Sequence, residues 1–177
     1  MSAHIVMNSA AIERSIERLA MEILERNQGV ENLAIVGIHT GGVFMAARLY
    51  EKITDHEDNE VPTASLDITL YRDDWSLISQ NPIVRKTNID FSVEDKDVVL
   101  VDDVIFTGRT IRAAMDAIMD YGRPRSIQLA VLVDRQGREL PIQPDYTGVC
   151  IRAERSERVD VMLSGDRKED EVVIDKK

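Results

Sequence analysis

The sequence has a single cysteine, Cys150, among its 177 residues, so no disulfide can form within the chain. A lone thiol suits a reducing compartment and excludes the small cross-linked secreted scaffolds. Aromatic residues make up only 5% of the chain, with one tryptophan, Trp75. No apolar run approaches the roughly 18–20 residues that cross a bilayer, and the first residues lack the basic-then-apolar order of a secretion signal. The expected location is cytoplasmic, with no membrane partner. Positive charge is scarce: 22 Lys and Arg stand against 32 Asp and Glu, a formal net charge of −10. Such a chain repels polyanions at long range, so nucleic acid could be held only on a local basic patch. Two familiar phosphate motifs are also missing, the Walker-type Gly-Lys-Ser/Thr and a Gly-x-Gly-x-x-Gly after a strand.

What is present is patterned. An apolar content of 44% is enough for one core in a chain of this length, and residues 1–177 read as a single domain. Ile12, Ile16, Leu19, Ala20, Ile23 and Leu24 recur at helical spacing and stop at Asn27-Gln28-Gly29. Leu33–Ile38 reads as a buried strand, His39-Thr40-Gly41-Gly42 as a turn and Val43–Ile53 as a helix. Ala64–Tyr71 has strand character with Leu66, Ile68 and Leu70 on one face. The polar stretch from Arg72 to Asn88 shows no period and is expected to be a flexible lid. Val98–Val101 and Ile127–Val133 are further buried strands, separated by a helix at Thr110–Tyr121. The tail holds short β-like pieces at Val159–Leu163 and Val172–Ile174. Alternating strands and helices predict an α/β fold, a mainly parallel sheet flanked by helices, with a small β-rich hood from the tail.

Chemistry concentrates in residues 98–110. An apolar strand delivers Asp102 and Asp103 at its carboxyl end, the usual ligand edge of an open α/β sheet. Val104-Ile105-Phe106 then lead into Thr107-Gly108-Arg109-Thr110, which opens a helix. Gly108 permits close approach of backbone to ligand, and exposed amides, hydroxyls and the helix dipole favour a phosphate. Two carboxylates beside a phosphate need something between them. A ribose provides it, since its hydroxyls donate to the acids while its 5′-phosphate rests on the loop. The same carboxylates can hold Mg²⁺. Asp-Asp alone would be an ordinary solvated turn, but the whole ordered string meets several independent requirements of a phosphate site.

This string resembles the signature by which type I phosphoribosyltransferases bind 5-phosphoribosyl-1-pyrophosphate (PRPP). The blocks Leu66–Asp74, Tyr121-Gly122-Arg123-Pro124 and Leu129–Asp134 with Arg138–Ile142 are similar to the pyrimidine operon regulatory (PyrR) family. The likeness covers nearly the whole chain. It implies a uracil phosphoribosyltransferase that makes UMP and pyrophosphate from uracil and PRPP with Mg²⁺. It also implies UMP-responsive binding of pyrimidine operon leader mRNA, and assembly as a homo-oligomer. By the same likeness Asp102 and Asp103 hold the ribose and Val104–Thr110 the rest of the PRPP loop. Thr40, Gly41 and Gly42 receive pyrophosphate, Arg72 is the lid cation, and Val133–Ile142 belongs to the hood region that receives uracil. No dedicated protein ligands for a metal are implied. Arg18, Arg26 and Arg138 match the family's RNA contacts.

The sequence departs from the family at several points. His39 and Gly41 stand where a basic residue and an arginine are common, and His39 is expected to be packed or solvated rather than catalytic. Glu17, Met21, Gln143 and Val149 replace a threonine, a histidine, an arginine and a lysine, thinning the basic patch. A regulator with little catalysis and a transferase for a purine or orotate remain alternative readings. Trp75 is expected to pack locally, and Glu169-Asp170-Glu171 to be a solvated turn.

Overall fold

The computed structural model describes residues 4–74 and 83–176. Five parallel strands form the main sheet: β2 (Leu33–Ile38), β3 (Thr63–Leu66), β4 (Asp97–Ile105), β5 (Ser126–Asp134) and β6 (Tyr146–Cys150). Their spatial order is β3-β2-β4-β5-β6. Helices α1 (Ser9–Asn27), α2 (Gly41–Thr54) and α3 (Arg109–Met119) cover it. The strands are apolar on both sides because both faces are covered, and period-2 alternation sorts the side chains. Leu33, Ile35, Val99 and Val101 pack with α1 and α2, whereas Ala34, Val36, Val98 and Leu100 pack with α3.

Helix boundaries follow local chemistry. The Asn8 side chain accepts from the Ala11 amide and caps α1, which ends at Gln28 in the left-handed region, with Gly29 at φ 106°. Gly37 lets β2 approach α2, since a Cβ there would meet the Gly42 carbonyl oxygen at 2.8 Å.

Three features correct the sequence reading. The hood is not made from the tail alone: β1 (His4–Asn8) pairs with β8 (Glu171–Lys176), which pairs with β7 (Glu157–Met162), all antiparallel. The expected strand over Ala64–Tyr71 ends at Leu66 and becomes a short 3₁₀ turn at Thr69–Tyr71, so Leu70 is 62% exposed while Leu66 and Ile68 are buried. Asp170 is not part of a solvated turn. It is buried and paired with Arg48 of α2, and it also accepts from the Ser164 amide at 2.6 Å and hydroxyl at 3.0 Å. The charge run conceals this because its flanking residue Glu169 is exposed while the central carboxylate turns inward.

Candidate active site

The sheet order places the site. From β2 the chain runs outward to β3 and then crosses to β4 on the other side, so the connections above β2 and β4 diverge and leave a crevice at their carboxyl ends. The turn His39–Gly42 lies at the end of β2. Pairing of β2 with β4 stops at Gly37 and Val101, so Asp102 and Asp103 lie past the end of that pairing, and Asp103 lines the crevice.

The two elements touch. A Cβ on Gly41 would overlap the Asp103 carboxylate, and one on Gly42 would overlap the Val101 carbonyl. The glycines are therefore what lets the turn rest on the acidic pair. The His39–Thr40 peptide bond in this turn is cis. Among the described residues, this edge opens into a cleft of about 1320 Å³ whose floor includes Thr40, Gly41, Asp103 and Val104 and whose roof is the hood strand β7 with Ser164–Glu171.

Electrostatics mark the pair. Asp102 is buried and Asp103 half-buried; Asp102 accepts from the Asp103 amide at 3.0 Å, and Asp103 from the Val104 amide at 2.8 Å. Burial pushes the Asp102 carboxyl well above the ordinary range, and the adjacent Asp103 charge adds to the effect. Burial also raises Asp103, against the opposing pull of hydrogen bonds to the carboxylate. Such a pair is relieved by groups that donate to it or by a cation.

Beside it, Thr107–Thr110 forms the entry to α3. Gly108 is in the left-handed region at φ 90°, the Thr107 carbonyl accepts from the Glu139 amide at 2.9 Å and the Leu140 amide at 3.2 Å, and the loop is held against the segment Val133–Ile142. Val104 pairs with Val133 across the sheet, which brings the start of that segment to the acidic pair. Arg109 is exposed and bridges Asp73 at 2.6 Å and Glu139 at 2.7 Å. Arg72 is 41% exposed and forms a two-pronged pair with Asp74, both contacts at 2.9 Å. The central part of the expected lid, including Trp75, lies outside the described residues. His39 is partly buried; its amide donates to the Leu66 carbonyl at 2.9 Å, and its imidazole has no hydrogen-bond partner among the described residues.

The three arginines matched to RNA contacts do not form one patch of free cations. Arg18 donates to the Thr147 and Gly148 carbonyls of the edge strand β6, at 3.1 and 2.8 Å, and pairs with Glu22. Arg26 pairs with Asp145 at 2.6 Å and lies over Tyr146. Both keep about half of their side-chain surface exposed, at 47% and 51%. Arg138 is 12% exposed and is spent on the Phe106 and Ile142 carbonyls and on Asp134. Glu17 pairs with Lys52 and His56, which draws its carboxyl below the usual range.

Sequence reasoning missed the roof. A β-like piece at Val159–Leu163 is legible but not its place in the site, because pairing with β8 and a position across the cleft from Thr40 and Gly41 are long-range facts.

No helix is long and apolar enough to cross a membrane among the described residues. The family model for the phosphoribosyl transferase domain matches residues 3–162. A curated bifunctional protein PyrR of Acetivibrio thermocellus is 55% identical over 158 residues, covering 89% of this chain and 86% of its own. One from Geobacter sp. is 51% identical and covers 97% of both chains. A Listeria monocytogenes PyrR is 53% identical, covering 97% and 96%. Among solved structures, the hypoxanthine phosphoribosyltransferase of Trypanosoma cruzi aligns with a TM-score of 0.71 at 20% identity over 98% of this chain and 97% of that one, a likeness of fold. With a family model matching residues 3–162 and half its residues in common with these relatives over nearly its whole length, the chain belongs to the phosphoribosyl transferase domain family and, within it, to the PyrR family.

Proposed function

We propose that the protein is a cytoplasmic uracil phosphoribosyltransferase that moves the phosphoribosyl group of PRPP onto N1 of uracil, giving UMP and pyrophosphate. The observation that carries this reading is the contact of Gly41 and Gly42 with Asp103 and the Val101–Asp102 backbone at the carboxyl edge of the sheet, on the strand that leads directly into the Thr107–Thr110 loop. Ribose hydroxyls donate to the two carboxylates, which lessens the like-charge penalty that burial imposes on them. Amides of Thr107–Thr110 and the positive end of α3 hold the 5′-phosphate. The amides of Gly41 and Gly42 face the pyrophosphate. As the bond from C1 to pyrophosphate lengthens, positive charge grows on the ribose, and the acidic pair below it stabilises that charge more than the ground state. Uracil N1 forms the new bond and gives up its proton, with the base seated by Val133–Ile142. Arg72 exchanges Asp74 for a pyrophosphate oxygen when PRPP binds.

Two adjacent carboxylates at this edge fit a magnesium ion that arrives with PRPP. Among the described residues no group of three or more His, Cys, Asp or Glu side chains could hold a metal. Asp102 and Asp103 would supply the carboxylates that such an ion meets, directly or through water. When bound, Mg²⁺ neutralises the departing pyrophosphate.

The second role is UMP-responsive binding of pyrimidine operon leader mRNA by a homo-oligomer. The exposed halves of Arg18 and Arg26 on α1 support it, as does the word bifunctional in the names of the curated relatives. Incubation with PRPP, Mg²⁺ and a panel of uracil, hypoxanthine, guanine and orotate tests the catalytic reading. UMP is the expected product. Turnover no higher than that of an Asp102→Asn/Asp103→Asn control, or preference for another base, overturns it. The regulatory reading expects salt-dependent binding of a pyrimidine leader RNA that UMP strengthens; equal affinity for unrelated RNA refutes it.

A further inference from the structure

Arg112 stands one turn into α3, where its amide donates to the Gly108 carbonyl of the phosphate loop at 3.0 Å. Its side chain reaches a different segment. Nη2 donates at 2.9 Å to the Tyr71 carbonyl, in the peptide that joins Tyr71 to Arg72. Nη1 pairs with Asp116 at 2.6 Å, and Nε is buried with no hydrogen-bond partner among the described residues. A buried donor left unsatisfied costs stability, and a side chain without that N–H would avoid the cost. The pair with Asp116, one helical turn on and partly exposed, contributes only a few tenths of a kcal/mol by the usual measure of about 0.2–0.5 for such pairs. Stability therefore does not account for a guanidinium here. Its distinctive act is to join two parts of one site.

Two further contacts run beside this one. The Tyr71 hydroxyl donates to Asp120, just past the end of α3. Arg109, three residues before Arg112 and so on the same side of the helix, pairs with Asp73 at 2.6 Å. Tyr71 and Asp73 are thus held on α3, while Arg72 and Asp74 pair with each other. Arg72 leaves the 3₁₀ turn in extended backbone, at φ −69° and ψ 139°, and among the described residues it makes no hydrogen bond of its own to α3. The grip of α3 on its neighbours is what places it. The first turn of α3 faces the 5′-phosphate, and Arg72 is the cation assigned to pyrophosphate at the other end of the same substrate. A substrate gripped at both ends is bound well only when the grips are correctly spaced, and a misplacement of about 1 Å can cost on the order of a hundredfold.

We propose that Arg112 is a positioning residue of the transferase reaction: its hold on the Tyr71 carbonyl fixes Arg72 relative to the phosphate loop, so that both ends of PRPP are met together. This deepens the uracil phosphoribosyltransferase reading and rests on it. Steady-state kinetics of UMP formation and calorimetric titration with magnesium-loaded PRPP test it in the full-length wild type, Arg112→Gln, Arg112→Lys, Arg72→Gln and the double variant Arg72→Gln/Arg112→Gln. Arg112→Gln should raise the KM and Kd for PRPP on the order of tenfold, with the KM for uracil and the Tm nearly unchanged. Arg112→Lys keeps a donor for the carbonyl and should lose less. Because Arg112 acts through Arg72, the double variant should bind PRPP no more weakly than Arg72→Gln alone. Unaltered PRPP binding in Arg112→Gln overturns the assignment, as do losses that multiply in the double variant. A rise in both KM values that follows a fall in Tm shows a merely structural role and overturns it too. These failures occur in the presence of a wild type that binds PRPP and makes UMP, whereas a wild type that binds no PRPP sinks the transferase reading and this one with it. If wild type binds PRPP without making UMP, the titrations alone decide the role of Arg112.

Discussion

Replacing Asp170 with alanine removes one half of an ion pair whose side chains are 1% exposed on Asp170 and 7% on Arg48. The Arg48 guanidinium would then stay in the interior with the Ser164 carbonyl as its remaining partner, and the Ser164 amide would lose its acceptor. Breaking a buried pair from one side costs about 3–5 kcal/mol. In a chain of this size each kcal/mol shifts Tm by about 2–4 °C, so Asp170→Ala should lower Tm by roughly 6–20 °C. The Arg48→Met/Asp170→Leu pair removes both charges and should recover most of that loss. Burial opposes ionisation of Asp170, but hydrogen bonds from Arg48 and Ser164 outweigh it and hold the carboxyl below the ordinary range. Its contribution is therefore present above the unfolded value near pH 4 and disappears as pH falls through the lower folded value. Thermal melts of the three proteins between neutral and acid pH measure all of this. A fall of less than about 2 °C for Asp170→Ala, a small fraction of the expected loss, would show that the hood is not tied to α2 by this pair.

Asp103→Asn should raise the Tm of the unliganded protein while abolishing PRPP binding, because it removes the half-buried carboxyl beside the buried Asp102 and keeps an acceptor for the Val104 amide. The acidic pair is raised in the folded state, so wild-type stability should decline as pH climbs from about 4 through the folded values, and Asp103→Asn should flatten that decline; pH-dependent melts decide both points, and an equal slope in the two proteins contradicts the reasoning. Gly42→Ala drives a methyl into the Val101 backbone and should cost about 1–3 kcal/mol in chemical denaturation. Gly41→Ala instead meets the Asp103 side chain, which can turn away, so it should lower PRPP affinity more than stability.

Much of this was legible in the sequence because the informative residues act locally. The six residues of β2 and Val98–Val101 of β4 are all buried, and an unbroken apolar run announces a strand covered on both sides. Asp102, Asp103 and Gly108 could be read because strand end, acids and loop follow one another directly. What escaped depends on partners far along the chain. β1 is five residues whose pairing lies with β8 at the other terminus, and β6 carries Gly148 in its middle, which weakens its pattern although tertiary contact with Leu132 requires it. Asp170 sits among charges that give no hint of the Arg48 facing it. The helical face bearing Arg18 and Arg26 was visible, but not that β6 carbonyls and Asp145 occupy both side chains.

The central claim is that two buried acids and an amide-lined turn at the end of β2 and β4 grip an activated sugar phosphate. Calorimetric titration of magnesium-loaded PRPP into the wild type and into Asp102→Asn/Asp103→Asn tests it most directly. Saturable heat with one PRPP per chain, absent from the double variant, is the predicted result. No heat from the wild type, or the same heat from both proteins, contradicts it.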